Sequence, residues 1–274
     1  MIITKRNFAI QLLIPILLLI WYSCGDSPTD PSEDPEISEG NVWEPAAVLP
    51  DTGNSSHYVN TYDLAIDEVN SIYVATDFAG IFKSSDGGNS WTIKNDGLKV
   101  NEQITFEKQY FVFSLGSFNG HLFAGCPGTI YHSSNGGNNW QLSYQGIEDD
   151  QTIYCFSSED NNEIYAGGYR ILLKTTNYGQ TWENIGSGFN WDEIYGVYDI
   201  EFSKDGSIYA ATYGNLFKSV DKGKNWTNIG EGHNHIEIDR ENNIYIVFRS
   251  SVYLSTDNAA TWTKVFELQA DFNT

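Results

Sequence analysis

The chain has 274 residues, is 41% hydrophobic and 15% aromatic, and carries a formal charge of −21. That length and apolar content suffice for one sizeable core, and the aromatics together with 25 glycines suit a sheet-rich, turn-rich protein. So acidic a balance argues against nucleic acid or an anionic membrane surface as a partner.

Residues 1–23 have the layout of a secretory signal, with Lys5 and Arg6 ahead of the apolar run "FAIQLLIPILLLIWY". Removing them leaves a net charge of −23, because they contain two bases and no acid. Ser23 before Cys24 is similar to a bacterial lipoprotein cleavage box, in which the cysteine becomes the lipidated N-terminus. Trp21 and Tyr22 depart from that pattern, so ordinary signal cleavage and an uncleaved anchor stay open. Residues 24–41 follow as a tether with six acids, three prolines and no base, which self-repulsion keeps extended. This acidic stretch also resembles the surface-export signals of Bacteroidetes-type lipoproteins.

From residue 42 to the end, strands and turns recur. The segment "VYDIEFSKDGSIYAATYGNLFKSVDKGKNWTNIG" (197–230) reads as four short strands joined by Gly- and Asn-rich turns. Four other segments share its layout, and each holds one copy of Ser/Thr-x-Asp/Asn-x-Gly-x-x-Trp. The copies are Ser84, Asp86, Gly88, Trp91; Ser133, Asn135, Gly137, Trp140; Thr175, Asn177, Gly179, Trp182; and Ser219, Asp221, Gly223, Trp226. The fifth has Ser255, Asp257 and Trp262, with Ala259 in place of the glycine. The tryptophans are 49, 42, 44 and 36 residues apart. Repetition at such a period is the mark of a propeller or solenoid. Asp and Asn alternate freely in the third position. A turn acceptor tolerates that exchange, whereas a general acid or a metal ligand does not.

These boxes resemble the Asp-box, or BNR, repeats of sialidases, sortilin-type receptors, some xyloglucan-active hydrolases and photosystem-assembly factors. The resemblance covers about residues 42–266 and implies an all-β fold, a β-propeller of four-stranded antiparallel blades with five blades recognisable. An outer-strand-like segment, "NVWEPAAVL" (41–49), lies one period before the first box. Either five blades close by themselves or the ring is an incomplete part of a larger propeller; the second is the expectation.

The resemblance also directs the search for function. Its boxes lie at one end of the blades and its ligands at the other. Candidate ligand-face residues are then Asp77, Phe78, Tyr169, Arg170, Tyr213 and Arg249 in short turns, with Asp149, Asp150, Trp191, Asp192, Glu193, His233 and His235 in longer loops. Trp191 lies in an insertion, "SGFNWDEIYG" (187–196), and reads either as a rim anchor or as a ring folded back on the sheets. Sialidase chemistry would need three arginines on that face and an Arg-Ile-Pro motif. The motif is missing, and of the mature arginines Arg170, Arg240 and Arg249, the second falls at the box end. The expectation is a binding scaffold for a glycan or an envelope protein, membrane-associated only through its lipid. A two-carboxylate glycoside hydrolase is the alternative, and an assembly factor the third. No catalytic residue, metal or cofactor is assigned. Cys126 and Cys155 read as buried thiols, with a disulfide as the other reading.

Overall fold

The computed structural model describes residues 60–99, 110–145, 152–231, 234–248 and 250–267. Cys24, Asp149, Asp150, His233 and Arg249 lie outside them, as does the segment 41–49.

Five antiparallel sheets of four strands follow one another along the chain, each in sequential strand order. Sheet 1 holds β1 (Thr61–Ile66), β2 (Ile72–Thr76), β3 (Gly80–Ser84) and β4 (Thr92–Ile93). Sheet 2 holds β5 (Ser114–Phe118), β6 (His121–Cys126), β7 (Thr129–Ser133) and β8 (Gln141–Gln145). Sheet 3 holds β9 (Ile153–Ser158), β10 (Ile164–Gly168), β11 (Ile171–Thr175) and β12 (Glu183–Asn184). Sheet 4 holds β13 (Val197–Phe202), β14 (Ile208–Thr212), β15 (Leu216–Ser219) and β16 (Thr227–Gly230). Sheet 5 holds β17 (Ile236–Ile238), β18 (Ile244–Phe248), β19 (Ser251–Ser255) and β20 (Thr263–Glu267). The first strands pack in succession, β1 on β5, β5 on β9, β9 on β13 and β13 on β17. This is propeller architecture, with the first strand of each sheet innermost.

Apolar layers fill the spaces between sheets. Tyr73, Ile81, Leu115 and Leu122 lie between sheets 1 and 2, and Phe123, Ile130, Ile164 and Leu173 between sheets 2 and 3. Tyr165, Leu172, Ile200 and Phe217 separate sheets 3 and 4, and Tyr209, Leu216, Ile244 and Ile246 separate sheets 4 and 5. Second strands are nearly continuous hydrophobic runs because both of their faces are covered. A small residue lets β10 pack closely on β13. A Cβ on Gly167 would lie 2.7 Å from Val197 Cγ1 of the next sheet.

Polar side chains join neighbouring inner strands. Asp63 accepts from the Leu115 N–H at 2.8 Å, Ser114 donates to the Ile153 carbonyl at 2.9 Å, and Asp199 accepts from the Ile236 N–H at 3.2 Å. Cys155 occupies the equivalent register in sheet 3, opposite Gly167 as Asp63 is opposite Ala75. Cys126 and Cys155 are free thiols, and burial raises the pKa of both.

Candidate functional site

Antiparallel order gives each sheet two ends. The boxes occupy the turns between third and fourth strands. The turns between second and third strands, and the connections to the next sheet, lie at the opposite end, called here the loop end.

At the box end the same latch appears five times. The hydroxyl of Ser84, Ser133, Thr175, Ser219 or Ser255 donates to the Oδ1 of the Asp or Asn two residues on, at 2.8–2.9 Å. That hydroxyl also accepts from the N–H of Gly88, Gly137, Gly179, Gly223 or Ala259, at 2.8–3.1 Å. Oδ1 in turn accepts from the N–H just before the tryptophan, at 2.8–3.0 Å. Only an amide or carboxylate oxygen is required, which explains the exchange of Asp for Asn. The second atom adapts: Asp257 Oδ2 accepts from Thr261 Oγ1 at 2.6 Å, whereas Asn177 Nδ2 donates to Thr181 Oγ1 at 2.8 Å. Hydrogen bonds from the residue before the tryptophan hold the Asp86, Asp221 and Asp257 carboxyls down to about 2.

Each later box tryptophan packs in the layer ahead of its own sheet. Trp140, Trp182 and Trp226 also donate their indole N–H to the preceding outer-strand segment, at Lys94 O, Ser143 Oγ and Ile185 O. The buried Nε1 of Trp91 in sheet 1 has no acceptor among the described residues.

The loop end differs from sheet to sheet. Asp77 is 4% exposed, and its two oxygens accept from the Asn60 backbone N–H at 2.6 Å and side-chain amide at 2.7 Å. It clamps the start of β1. Phe78 takes a left-handed φ of 62° and sets its ring 4.9 Å from Phe111. Phe111 and Phe113 lie 6.5 Å apart, and Tyr62 is 4.8 Å from Phe113.

Sheets 3 and 4 carry a larger cluster. The turn Tyr169–Arg170 is held by Tyr169 N–H to the Thr152 carbonyl at 2.8 Å and Arg170 N–H to the Tyr195 carbonyl at 3.1 Å. Arg170 pairs with Asp192 across 3.0 Å, with the Asp192 side chain 87% exposed. Trp191 stacks on Phe189 at 5.1 Å and packs against the layer between sheets 3 and 4, so its ring is folded back on the sheets. The insertion instead exposes Glu193 and Tyr195. Tyr154 and Tyr198 stack face to face at 4.7 Å and 3°. Tyr195 and Tyr213 meet nearly at right angles, with centroids 6.3 Å apart. Burial, followed by coupling to Tyr169 and other tyrosines, raises the Tyr154 and Tyr198 hydroxyls. Five tyrosines thus gather from sheets 3 and 4, of which sequence reasoning had singled out Tyr169 and Tyr213. Tyr154 and Tyr198 carried one signal, since "TYD", "IYC" and "VYD" place a tyrosine at the same register of β1, β9 and β13; Tyr195, in the insertion, carried none.

Beside this cluster, His235 lies 3.7 Å from Asp199, whose carboxylate raises the imidazole pKa. Glu237 on β17 is pushed up to about 7, by burial first and then by Asp199 and Asp239. Among the described residues no three His, Cys, Asp or Glu side chains come together in a way that would hold a metal ion.

No family model matches the chain, and no curated protein does. Solved structures do. A GH74 enzyme of Niastella koreensis aligns over 74% of this chain and 38% of its own, with TM-score 0.54 and 19% identity. YCF48 bound to a D1 peptide aligns over 82% of this chain and 72% of its own, at 0.58 and 16%. The extracellular domain of the BT4673 one-component system of B. thetaiotaomicron aligns over 80% and 34%, at 0.51 and 13%. The chain therefore spans about a third of the GH74 and BT4673 proteins and most of YCF48. What it shares with all three is a fold, that of a β-propeller.

Proposed function

We propose that this chain is an exported, lipid-anchored binding scaffold whose partner, an envelope protein or a glycan, sits at the loop end of sheets 3 and 4. One observation carries the reading: Tyr154, Tyr169, Tyr195, Tyr198 and Tyr213 gather there, while every box is committed to its own turn. Exposed tyrosines supply contact area at little entropic cost, which is why they recur at interfaces. The leader-like residues 1–23 and Cys24 support export and anchorage at the outer membrane or cell surface. The YCF48 structure, solved with a peptide, supports a holding role for a fold of this kind.

The test is retention of envelope proteins and glycans on immobilised protein, comparing wild type with Tyr195→Leu/Tyr213→Leu. The double variant is expected to lose the partner at unchanged melting temperature. Equal retention would reject the assignment.

Carbohydrate hydrolysis is the second reading, and Glu237 favours it. Its raised pKa suits a general acid beside the Asp199 carboxylate. Asp199 also has a structural task, accepting from the Ile200 and Ile236 N–H groups. Turnover of any glycan that disappears in Glu237→Gln would favour this reading over the first.

A further inference from the structure

One cross-strand pair recurs between the second and third strands of every sheet. In sheets 1, 3 and 4 it is a tyrosine and a lysine: Tyr73–Lys83, Tyr165–Lys174 and Tyr209–Lys218. Each ammonium lies 5.0–5.3 Å from the tyrosine ring centroid, within cation–π range. In sheets 1 and 4 the pair also serves the next box. Tyr73 Oη donates to the Gly136 carbonyl at 3.3 Å, and Tyr209 Oη and Lys218 Nζ donate to the Asn258 carbonyl at 3.3 and 3.4 Å. Both carbonyls belong to the residue that follows the box Asn or Asp.

Sheet 2 departs from this scheme. Its pair is Phe123–His132, and Tyr178 follows Asn177 in the next box. Phe123 has no hydroxyl to donate. His132 is hydrogen-bonded to His121 at 2.7 Å, and the His121 ring lies against Tyr178 with centroids 4.1 Å apart. Burial, then His121, holds His132 down to about 4, so it is neutral at pH 7. This junction thus has no built-in ammonium of its pair. It has a cavity of about 160 Å³, whose lining includes His132, Gln141, Ser143, Tyr178, Gly179 and Gln180. A neutral imidazole, side-chain amides and backbone carbonyls are all acceptors. The net charge of −21 draws cations towards them. Among the described residues no third His, Cys, Asp or Glu joins the two imidazoles, which disfavours a metal ion.

We infer that the cavity between sheet 2 and the third box binds a small primary ammonium ion. The ion supplies there the positive charge that a lysine supplies in sheets 1, 3 and 4. The inference is independent of the loop-end reading, because this cavity lies beside a box.

Proton–nitrogen NMR titration of the full chain tests it, with n-butylammonium, n-butanol and zinc chloride as probes. Butylammonium is expected to give saturable shifts at the Gly179 and Gln180 amides, and its neutral isostere butanol is not. His132→Lys installs the ammonium of the other sheets. It should weaken butylammonium binding by about tenfold or more at unchanged melting temperature. His132→Leu copies the Tyr245–Leu254 pair of sheet 5 and removes the imidazole acceptor, so binding should weaken severalfold. Circular dichroism of each variant separates lost binding from lost folding. Equal shifts with butanol, or butylammonium binding indifferent to His132→Lys, overturn the inference. Saturable zinc shifts at those amides, with none from butylammonium, overturn it too and give the imidazole pair to a metal. Should neither variant fold, the contrast between butylammonium and butanol on the wild type still decides.

Discussion

The two ends of the sheets are built on opposite principles. At the box end, five copies of one turn make the same three hydrogen bonds to within a few tenths of an ångström. At the loop end the described turns share a left-handed residue, at Phe78, Gly128, Arg170 and Gly214, but differ in what they hold: Asp77 clamps Asn60, Tyr169–Arg170 is strapped to the insertion, and Tyr213 is exposed. Repetition satisfies a demand that every sheet shares, to fix a tight turn and key a tryptophan into the preceding sheet. Variation marks the places released from that demand. Substitutions at the two ends should accordingly fail in different ways, and the following experiments press on that difference.

The largest effect belongs to the tryptophan keys. Trp140→Ala removes a ring that is 2% exposed, together with its N–H bond to the Lys94 carbonyl. A loss of about 3–5 kcal/mol in urea unfolding is expected. A loss below about 1 kcal/mol would deny the tryptophans their structural role.

Next comes the latch hydroxyl. Ser84 is 1% exposed and serves Asp86 and the Gly88 N–H. Ser84→Ala leaves that N–H unpaired and should cost about 1–3 kcal/mol. Asp86→Asn, by contrast, should cost less, since Asn135 and Asn177 already perform the task and only the added strength of hydrogen bonds to a charged carboxylate is lost. A destabilisation by Asp86→Asn as large as that of Ser84→Ala would contradict the account of Asp/Asn exchange.

A smaller effect runs the other way. Ala259 holds a φ of 68° where the other boxes have glycine. Ala259→Gly relieves that left-handed strain and should stabilise by about 1 kcal/mol, less the packing of one methyl group. Differential scanning calorimetry reads the sign.

The smallest effect is a pH dependence. His132 is hydrogen-bonded to His121 at 2.7 Å and is held down to about 4, by burial first and then by His121. The fold favours the neutral ring. Its contribution is present above the ordinary histidine value of 6.5 and is lost as pH falls towards about 4. Glu237, raised to about 7, acts oppositely, because its charged form is the disfavoured one. The comparison must therefore be a difference: His132→Gln should lose less melting temperature between pH 7 and pH 5 than wild type does. An equal or larger loss would remove the histidine pair from the account.

Legibility followed the same division. The fold was readable because each box is contiguous, so Ser84, Asp86, Gly88 and Trp91 announce themselves within eight residues and then recur. The loop end was only partly readable, because its cluster is assembled from separate segments. Tyr154 and Tyr198 sit in strands where a tyrosine is ordinary, and nothing local says that their rings meet. Asp77 looked available for a ligand because its partner, Asn60, is 17 residues away. For Trp191 the residues allowed a rim anchor or a folded-back ring, and the choice depended on Phe189, whose burial is a tertiary fact.

The most direct test of the division is site-specific photocrosslinking in cells. One photoreactive residue is placed at Tyr213 at the loop end, and another at Lys222 in the fourth box. Both positions are exposed. The account predicts a discrete crosslinked adduct from position 213 and none from position 222. An adduct from position 222 alone would move the function to the repeated end and contradict it.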